Sequence, residues 1–491
     1  MIDLKNKRVL VVGLGKSGLA AAHFLKTLGA RVTVSDARPA TLIAELSELL
    51  DQGFMVEAGS HGLLTFRRQD LIVVSPGVPM STPVLSQVRA MGAHIIGELE
   101  LGAEYLQGEV IAVTGSNGKT TTTSLIGEIL KAAGRPTLVG GNIGRPVTAM
   151  VEESVELSHR GDRLNEQNAG VLRSAQDDGE KREDDAEKYQ AQDERVGPVW
   201  SVLEVSSFQL ETVETFKPRI AMVLNITPDH LDRHGTFEAY AALKARITEF
   251  QTAEDFLILN GEDKNTQLIA AKTKAQVYWF SGRRPMKQGA FVHGESILFV
   301  AREGAKAEPV MPVAEISLAG AHNVENVLAA VCAARLAGVE SETIRAAVRE
   351  FKAVEHRLEF VREVAGVRYY NDSKATNVDA TMKAVAAFAG GIYLILGGKD
   401  KGSDYRVLEP LLRERVKTVI TIGSAAEKIE RQLDGVVKIE RAETLQRAVE
   451  FAQAAAVAGD TVLLAPACAS FDQFENYEHR GRVFKELVQA L

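Results

Sequence analysis

The 491-residue chain is poor in cysteine and in aromatic residues, and it has no long apolar run. Its two cysteines, Cys332 and Cys468, are too few to build a structural zinc site alone and do not suggest a secreted disulfide framework. No run approaches the roughly 20 apolar residues of a membrane span, and the N-terminus enters a strand pattern without the apolar region of a signal peptide. The formal net charge is −8, which argues against nucleic-acid binding. These absences predict a cytoplasmic protein with no membrane insertion and no nucleic-acid partner.

What the chain does contain is a regular alternation of β-branched apolar runs and helix-like segments. This alternation is typical of α/β domains with largely parallel sheets. A chain of this length should hold about three domains of roughly 150 residues each. We place the boundaries near residues 97 and 353, which gives domains 1–97, 98–352 and 353–491.

One segment, about residues 152–198, does not fit the alternation. It is rich in Asp, Glu, Arg, Gln and Gly and poor in apolar residues, so it cannot bury enough surface to offset the entropy of ordering. We therefore predict a disordered insertion in the central domain, with a solvated charged helix as the alternative for its second half.

The most informative stretch is a glycine-containing turn between an apolar run that starts at Val110 and a helical pattern that starts at Lys119. Such a turn lets backbone N–H groups approach a triphosphate, and the helix N-terminus adds its positive dipole end. Lys119 would reach the β- and γ-phosphates, and the Thr120 hydroxyl would hold Mg²⁺. The first glycine of the full Walker pattern is missing, because Val113 stands there, but the context still predicts ATP binding. The predicted ATP-binding residues of this loop are Gly115, Ser116, Asn117, Gly118, Lys119, Thr120 and Thr121.

A second glycine motif, Gly13–Gly18, follows the first strand pattern, and Asp36 ends the next one. This is the dinucleotide-binding fingerprint, with an acid placed for a ribose hydroxyl. Taken alone, it would indicate an NAD-dependent oxidoreductase. A nucleotide-linked substrate would use the same geometry without redox chemistry, and the ATP motif downstream favours that interpretation.

Polar residues at three further strand ends predict a magnesium and phosphate site. Asn142 lies in the glycine-rich turn 140–144, Glu204 ends an apolar strand pattern, and His230 follows another. Ligands collect at the strand ends of open α/β sheets, and a strand-end carboxylate is a natural partner for Mg²⁺. A lone histidine in this position would more often cap a turn or lie on the surface, but beside a phosphate loop we expect His230 to ligate metal. Lys244 alone would be taken for a solvated surface lysine.

Several segments in chain order carry a family resemblance: TGSNGKTTT, GGNIG, LEVSSFQLE, NITPDHLD, HNVEN, EHRLE and NDSKATN. Together they resemble the Mur ligases of peptidoglycan synthesis, and LGGKDKGSDY and APACASFDQFENYEHRG resemble the branch of that family that adds D-glutamate. The resemblance implies a Rossmann-like N-terminal domain, a central P-loop-type ATPase domain with a mostly parallel sheet, and a Rossmann-like C-terminal domain. It implies an ATP-dependent ligation of D-glutamate to UDP-N-acetylmuramoyl-L-alanine through an acyl phosphate.

The resemblance also implies the site residues. The catalytic residues would be Lys119, Lys244, His230, Glu204 and Asn142. Two Mg²⁺ ions would be held by Thr120, Glu204, His230 and Lys244, the last as a carbamate formed with CO₂. Beyond the phosphate loop, ATP would contact Asn323, Asn326, Arg357, Asp372 and Lys374. The UDP-linked substrate would contact Gly15, Lys16, Ser17, Asp36, Ser75, Asn142 and His230. D-Glutamate would contact Thr376, Lys401, Ser470 and Tyr477.

Alternatives remain at this stage. A sister Mur ligase would use the same machinery for a different amino acid, and a non-catalytic nucleotide-binding scaffold would be expected to lack Lys119, Glu204 or His230, all of which are present. Arg357 could instead form a surface ion pair with Glu355 or Glu359. Ser470 could merely cap a helix that starts near residue 471. We expect a monomer.

Overall fold

The computed structural model describes residues 3–43, 45–177, 197–318, 320–352 and 355–491. Its first sheet has five parallel strands in the order β3-β2-β1-β4-β5. The strands are β1 (Arg8–Val12), β2 (Arg31–Asp36), β3 (Met55–Ala58), β4 (Leu71–Val74) and β5 (Ile95–Gly97). The helices of this part are α1 (Lys16–Thr27), α2 (Leu46–Asp51), α3 (Leu63–Arg67), α4 (Pro83–Ala90) and α5 (Glu98–Ala103).

The second sheet has nine strands in the order β14-β13-β12-β11-β10-β9-β6-β8-β7. Its strands are β6 (Glu109–Thr114), β7 (Thr137–Gly141), β8 (Trp200–Glu204), β9 (Ile220–Val223), β10 (Phe256–Asn260), β11 (Gln276–Ser281), β12 (Gly289–His293), β13 (Ser296–Val300) and β14 (Glu308–Pro312). Only the β12–β13 and β13–β14 pairs of this sheet are antiparallel in the described residues. Its helices are α6 (Lys119–Ala132), α7 (Val151–Asp177), α8 (Ser207–Leu210), α9 (Leu231–His234), α10 (Phe237–Ala245), α11 (Lys264–Ala270), α12 (Ala321–Leu336) and α13 (Ser341–Glu350).

The third sheet has six strands in the order β15-β16-β20-β17-β18-β19, and only its β15–β16 pair is antiparallel in the described residues. The strands are β15 (Glu359–Val364), β16 (Val367–Asn371), β17 (Ile392–Gly397), β18 (Val416–Ile422), β19 (Lys438–Glu443) and β20 (Thr461–Leu464). The helices are α14 (Val378–Ala386), α15 (Glu409–Arg415), α16 (Ala426–Gln432), α17 (Leu445–Ala455) and α18 (Tyr477–Gln489). Short 3₁₀ turns elsewhere in the chain cover Ala40–Leu42, Thr148–Met150, Arg246–Thr248, Val313–Glu315 and Tyr405–Leu408.

Three mostly parallel sheets with covering helices confirm the predicted α/β class. The buried strands explain the near-continuous apolar runs of the sequence, because a parallel sheet covered on both faces buries both sides of each strand. The sheets occupy residues 8–97, 109–312 and 359–464, while the exact domain boundaries remain a prediction. Within the described residues, no helix combines the length and apolar character needed to cross a membrane.

The prediction of a disordered insertion is wrong for its first half. Helix α7 covers Val151–Asp177, so the chain is helical where the composition predicted disorder. The start of the helix is anchored, since Val151 and Ser154 are buried and Leu157 packs against the central apolar cluster. Residues 178–196 of the same prediction lie outside the described residues.

Glu98, the first residue of helix α5, is buried, with only 1% of its surface exposed. Its Oε1 accepts hydrogen bonds from the Thr148 backbone N–H at 2.7 Å and from the Thr148 hydroxyl at 2.8 Å. Its Oε2 has no hydrogen-bond partner among the described residues. Burial outweighs the two Thr148 bonds and raises the pKa of Glu98 from 4.5 to about 7.

This pKa predicts that the protein loses stability as the pH rises from 4.5 to 7. In that window the folded state holds a proton on Glu98 that the unfolded state has released, so the free energy of unfolding falls as pH rises, by up to ~3 kcal/mol. Glu98→Gln stays neutral and should remove this part of the slope. Urea unfolding at pH 5 and pH 8 measures it, with Glu128→Gln, an exposed glutamate of α6, as the control. An unchanged difference between the two pH values in Glu98→Gln would contradict the prediction.

Candidate active site

Most of the predicted site residues line one cavity of about 760 Å³, which is bordered by loops from all three sheets. The predicted residues that line it are Gly15, Lys16, Ser17, Asp36, Ser75, Ser116, Asn117, Gly118, Lys119, Thr120, Asn142, Glu204, His230, Lys244, Arg357, Lys374, Thr376 and Tyr477. A smaller adjoining cavity is bordered by Asn326 and Asp372, together with Asn117, Gly118, Arg357 and Lys374. The predicted residues that line neither cavity are Gly115, Thr121, Asn323, Lys401 and Ser470.

The Gly13–Gly18 turn connects β1 to α1 at one end of the large cavity. A Cβ atom on Gly18 would lie 1.8 Å from the carbonyl oxygen of Gly13, so this approach of helix to strand requires glycine. Asp36 accepts from the Leu14 backbone N–H at 2.7 Å and from the Arg38 guanidinium at 2.9 Å. Burial alone would raise the pKa of Asp36, but the Arg38 and Leu14 hydrogen bonds lower it to about 2, so the carboxylate is an ionised acceptor.

The phosphate loop between β6 and α6 has the predicted strand–turn–helix form. Gly118 has a φ of 88°, and a Cβ atom there would lie 2.3 Å from Oδ1 of Asn326, so glycine is required for both its conformation and its contact. Lys119 folds back and donates to the carbonyl oxygens of Gly115 at 2.9 Å and Ser116 at 3.0 Å. Its pKa is lowered, mainly by burial.

Glu204 joins the phosphate loop to the Asn142 turn. Its side chain is buried, accepts from the Thr120 hydroxyl at 2.6 Å and from the Asn142 amide at 2.8 Å, and has two lysines near it. Burial opposes its ionisation, but the charges of Lys374 and Lys119 and these two hydrogen bonds prevail and lower its pKa. A hydroxyl and an ionised carboxylate at this separation form an oxygen-rich pair of the kind that Mg²⁺ prefers.

His230 directly precedes α9, at its N-cap position, and its backbone lies in the left-handed region, with a φ of 53°. Its ring contacts that of Phe208 edge-on at 4.9 Å between centroids. Burial, with help from the nearby lysines, lowers its pKa to about 4 despite the neighbouring Asp229. The imidazole is therefore neutral near pH 7, which is the form that binds metals.

Lys244 is buried on α10, with 1% exposure, and is not the solvated lysine that the sequence alone suggests. Its Nζ donates to the carbonyl oxygen of Gly115 at 2.8 Å and lies 4.7 Å from the centre of the Tyr240 ring. Burial, followed by repulsion from Lys119, places its pKa well below the ordinary value. This shift favours the neutral, nucleophilic form of the amine, which borders the cavity.

The third sheet contributes cations to the same cavity. Arg357 donates to the Thr121 hydroxyl at 2.9 Å, while Glu355 and Glu359 accept from Lys485, so the surface-pair alternative for Arg357 is wrong. Lys374 donates to the Tyr477 hydroxyl at 3.0 Å.

Burial is the largest influence on the pKa values of Lys374 and Asp372, two ionisable groups beside the cavities. It lowers the pKa of Lys374 to about 8, although Glu204 opposes the effect. It raises the pKa of Asp372, which borders the smaller cavity, to about 6, although Arg357 and Lys374 oppose it. Asn326 donates to the Asn323 side chain at 3.0 Å beside that cavity. Arg357 and Lys374 therefore face the phosphate loop across the domain interface, and the paired amides of Asn323 and Asn326 lie beside it on α12.

Two of the residues predicted to bind D-glutamate, Lys401 and Ser470, line neither cavity. Lys401 pairs with the carboxylate of Asp229 at 3.0 Å instead of lining the cavity. Asp229 also accepts from the Asn377 amide at 2.9 Å, and these cationic and amide partners, opposing burial, lower its pKa to about 2. The helix near residue 471 is absent from the described residues, because α18 starts at Tyr477 and is capped by Asn476. Ser470 therefore does not cap the helix that follows it, and the Ser470 side chain is buried.

Four residues were not singled out from the sequence. Arg38, Asp229 and Asn377 line the large cavity, and Asp379 accepts a hydrogen bond from the Asn117 amide of the phosphate loop. Asp229 and Asn377 lie inside motifs that were recognised, NITPDHLD and NDSKATN, so their polar character was a usable signal. Arg38 follows Asp36 by two residues and could have been found as its partner. Asp379 lies within a helical pattern and carries no sequence signal.

Comparison with known proteins places family matches on all three parts of the chain. Residues 7–97 match "Mur ligase MurD-like, N-terminal domain", residues 113–334 match "Mur ligase middle domain", and residues 356–468 match "Mur ligase, glutamate ligase domain". A curated UDP-N-acetylmuramoylalanine–D-glutamate ligase from Acidobacterium capsulatum is 60% identical over 490 residues, which cover 100% of this chain and 97% of that protein. A ligase of the same name from Koribacter versatilis is 55% identical over 491 residues, covering 100% and 99%. The solved structure of UDP-N-acetylmuramate-alanine ligase MurC from Thermotoga maritima is similar in fold, with a TM-score of 0.58, 17% identity and coverage of 99% and 100%.

Proposed function

Because the chain belongs to the Mur ligase family, we propose that it is the ATP-dependent ligase that adds D-glutamate to UDP-N-acetylmuramoyl-L-alanine in peptidoglycan precursor synthesis. The observation that carries the proposal is the one cavity that the dinucleotide-type turn, the phosphate loop and the cations of the third sheet share. The choice of D-glutamate among amino acids is supported by the name of the full-length relatives.

The reaction fits the chemistry of this cavity. The substrate carboxylate attacks the γ-phosphorus of ATP, which releases ADP and leaves an acyl phosphate. The amine of D-glutamate then attacks the acyl carbon, loses a proton, and expels phosphate as the amide forms. Lys119, Lys374 and Arg357 supply positive charge where several anionic oxygens must meet, and preorganised charge of this kind lowers the barrier. Enclosure between three sheets would limit hydrolysis of the acyl phosphate.

Two Mg²⁺ ions are part of the proposal. Thr120 and Glu204 would hold one beside the phosphates, and the buried hydroxyl–carboxylate pair at 2.6 Å fits a hard cation. His230, neutral near pH 7, would hold the second together with Lys244. When bound, the ions would neutralise phosphate charge, while Asn142 would keep Glu204 oriented.

A carbamate on Lys244 would supply an anionic ligand for the second Mg²⁺, beside the neutral His230. Burial lowers the pKa of Lys244 and so favours the neutral amine, which is the form that attacks CO₂. A bond would form between Nζ and the CO₂ carbon, and the released proton would leave to solvent. The modified side chain would turn from the Gly115 carbonyl oxygen, its present acceptor, toward the metal.

The substrate contacts follow the positions of the residues around the two cavities. The UDP-linked substrate would bind at Gly15, Lys16, Ser17, Asp36 and Ser75, with Arg38 added. ATP would bind along residues 115–121, with its nucleoside in the smaller cavity beside Asn323, Asn326 and Asp372. D-Glutamate would bind at Thr376, Ser470, Tyr477 and Lys401, the last after it leaves Asp229. We also propose domains 1–97, 98–352 and 353–491, a monomer and a cytoplasmic location.

Phosphate release tests the function. The purified protein is incubated with ATP, Mg²⁺ and UDP-N-acetylmuramoyl-L-alanine, and D-glutamate is compared with L-glutamate, L-lysine, diaminopimelate and L-alanine. Release with D-glutamate alone, with a product heavier by one glutamyl residue, is the expected result. Release with another amino acid would indicate a sister ligase, and silence with every amine would overturn the ligase assignment.

A further inference from the structure

One carboxylate at the interface of the second and third sheets has no place in the proposed function. Asp379 lies in the first turn of α14, two residues after its N-cap Asn377. Its Oδ2 accepts from the Asn117 side-chain amide at 2.5 Å and from the Thr227 hydroxyl at 3.3 Å. Asp379 also pairs with Lys383, which borders the smaller cavity, at 3.0 Å.

Both partners of Asp379 in the central part of the chain belong to one hydrogen-bonded unit. Asn117 is held in the phosphate loop by reciprocal bonds with Asn225, at 2.8 and 3.0 Å. Thr227 is held to the same loop through Ser116, whose hydroxyl bonds the Thr227 carbonyl at 2.8 Å and accepts its N–H at 2.9 Å. A contact with this unit therefore fixes the third domain relative to the phosphate loop and to the turn that leads to His230.

The position of the third domain matters for the site because that domain carries Arg357 and Lys374. Arg357 already reaches Thr121 on α6, and both cations border the cavity beside the phosphate loop. Asp379 is well placed to hold this arrangement, since its charge lies at the helix N-terminus, where carboxylates are favoured. Hydrogen bonds to a charged group are also stronger than neutral ones.

We propose that Asp379 is a positioning residue that fastens the third domain to the nucleotide-binding loop through Asn117 and Thr227, and so holds Arg357 and Lys374 beside that loop. The proposal rests on the proposed function for its substrates. We call the arrangement in which Asp379 contacts Asn117 and Thr227 the closed arrangement; it does not depend on the identity of the amino acid.

The first measurement does not require turnover. Small-angle X-ray scattering of the full chain with Mg²⁺ and a non-hydrolysable ATP analogue should show compaction in the wild type. The same compaction is expected in Glu414→Ala, whose glutamate is exposed in the same domain and pairs with Arg415. Asp379→Ala should lose a measurable part of it, because Lys401, Asn377 and Arg357 keep their own contacts across the interface. Asp379→Asn, which keeps an acceptor for Asn117 but no charge, should lose less. A radius of gyration of Asp379→Ala equal to that of the wild type, with and without the analogue, would overturn the proposal.

Steady-state kinetics separate positioning from a loss of folded protein. Asp379→Ala should raise the KM for D-glutamate about tenfold, while kcat at saturating substrates stays within about threefold, because ligands in excess restore the closed state. A lower kcat with an unchanged KM would mean that less active protein remains and would overturn the proposal. If the wild type fails to use D-glutamate at all, the proposed function fails, and the scattering result still decides the role of Asp379.

Discussion

Lys244→Ala should lower the rate of D-glutamate addition by about 10²- to 10³-fold, a loss comparable with removing one preorganised charge-stabilising group. The side chain is buried and borders the cavity, and its burial lowers the pKa of its amine. If that amine is carbamylated, alanine removes an anionic ligand from the second metal position. Bicarbonate with a short carboxylic acid should then partly restore turnover, because a small carboxylate can occupy the space vacated beside Tyr240.

The controls separate this effect from damage to the fold. Lys131→Ala removes an exposed lysine of α6 that pairs with Glu128 on the protein surface, and it should leave turnover unchanged. The intact mass of the native protein should also show a CO₂ adduct that Lys244→Ala lacks. Near-normal turnover in Lys244→Ala would refute the assignment. Loss of turnover without rescue and without an adduct would leave Lys244 a packing residue.

The parts of the site that sequence predicted well are those where a turn and a strand end dictate the chemistry. Gly118 and Thr120 could be placed because a phosphate loop requires a permissive glycine and a hydroxyl at the helix start. Glu204 could be placed because a carboxylate at the end of a buried strand needs a partner. Each requirement is local in the chain, so the pattern of neighbours was enough.

The parts that sequence missed depend on contacts between distant segments. The Lys401–Asp229 pair joins residues 172 positions apart, and the Asn117–Asp379 bond joins residues 262 positions apart. Neither separation leaves a periodic signal, because the geometry of two different sheets sets the distance. The burial of Lys244 was hidden for the same reason, since its helix position alone resembles a solvated lysine.

Helix α7 shows a different limit. Its composition is polar, and disorder was predicted because polar segments bury little surface. The structure shows that the first turns are held by Val151 and Leu157 against the neighbouring clusters, and helix propagation from an anchored turn is far easier than nucleation. Composition averaged over about 45 residues concealed this short apolar start.

Glu204→Gln should lower turnover by about 10³-fold, or about 4 kcal/mol in the barrier, with little change in the fold. Glutamine has the same shape, and its remaining carbonyl oxygen can still accept from Thr120 or Asn142. It lacks the charge that the proposed first Mg²⁺ requires. Turnover measured over a range of Mg²⁺ concentrations should show the loss at every concentration, whereas Glu128→Gln on exposed α6 should behave as wild type. Activity within tenfold of wild type at saturating Mg²⁺ would contradict the role.

The same variant should also change the pH dependence of the residual activity, through Lys374. The charge of Glu204 raises the pKa of Lys374, which burial lowers to about 8. Without that charge the pKa must fall further, so a smaller fraction of Lys374 is cationic near pH 7.5. Since a cation is required beside the phosphates, the residual activity of Glu204→Gln should rise as the pH is lowered from 8 to 6.5, relative to wild type. A profile parallel to that of wild type would mean that the two side chains act independently, because the Coulomb interaction between buried groups must appear in the titration of both.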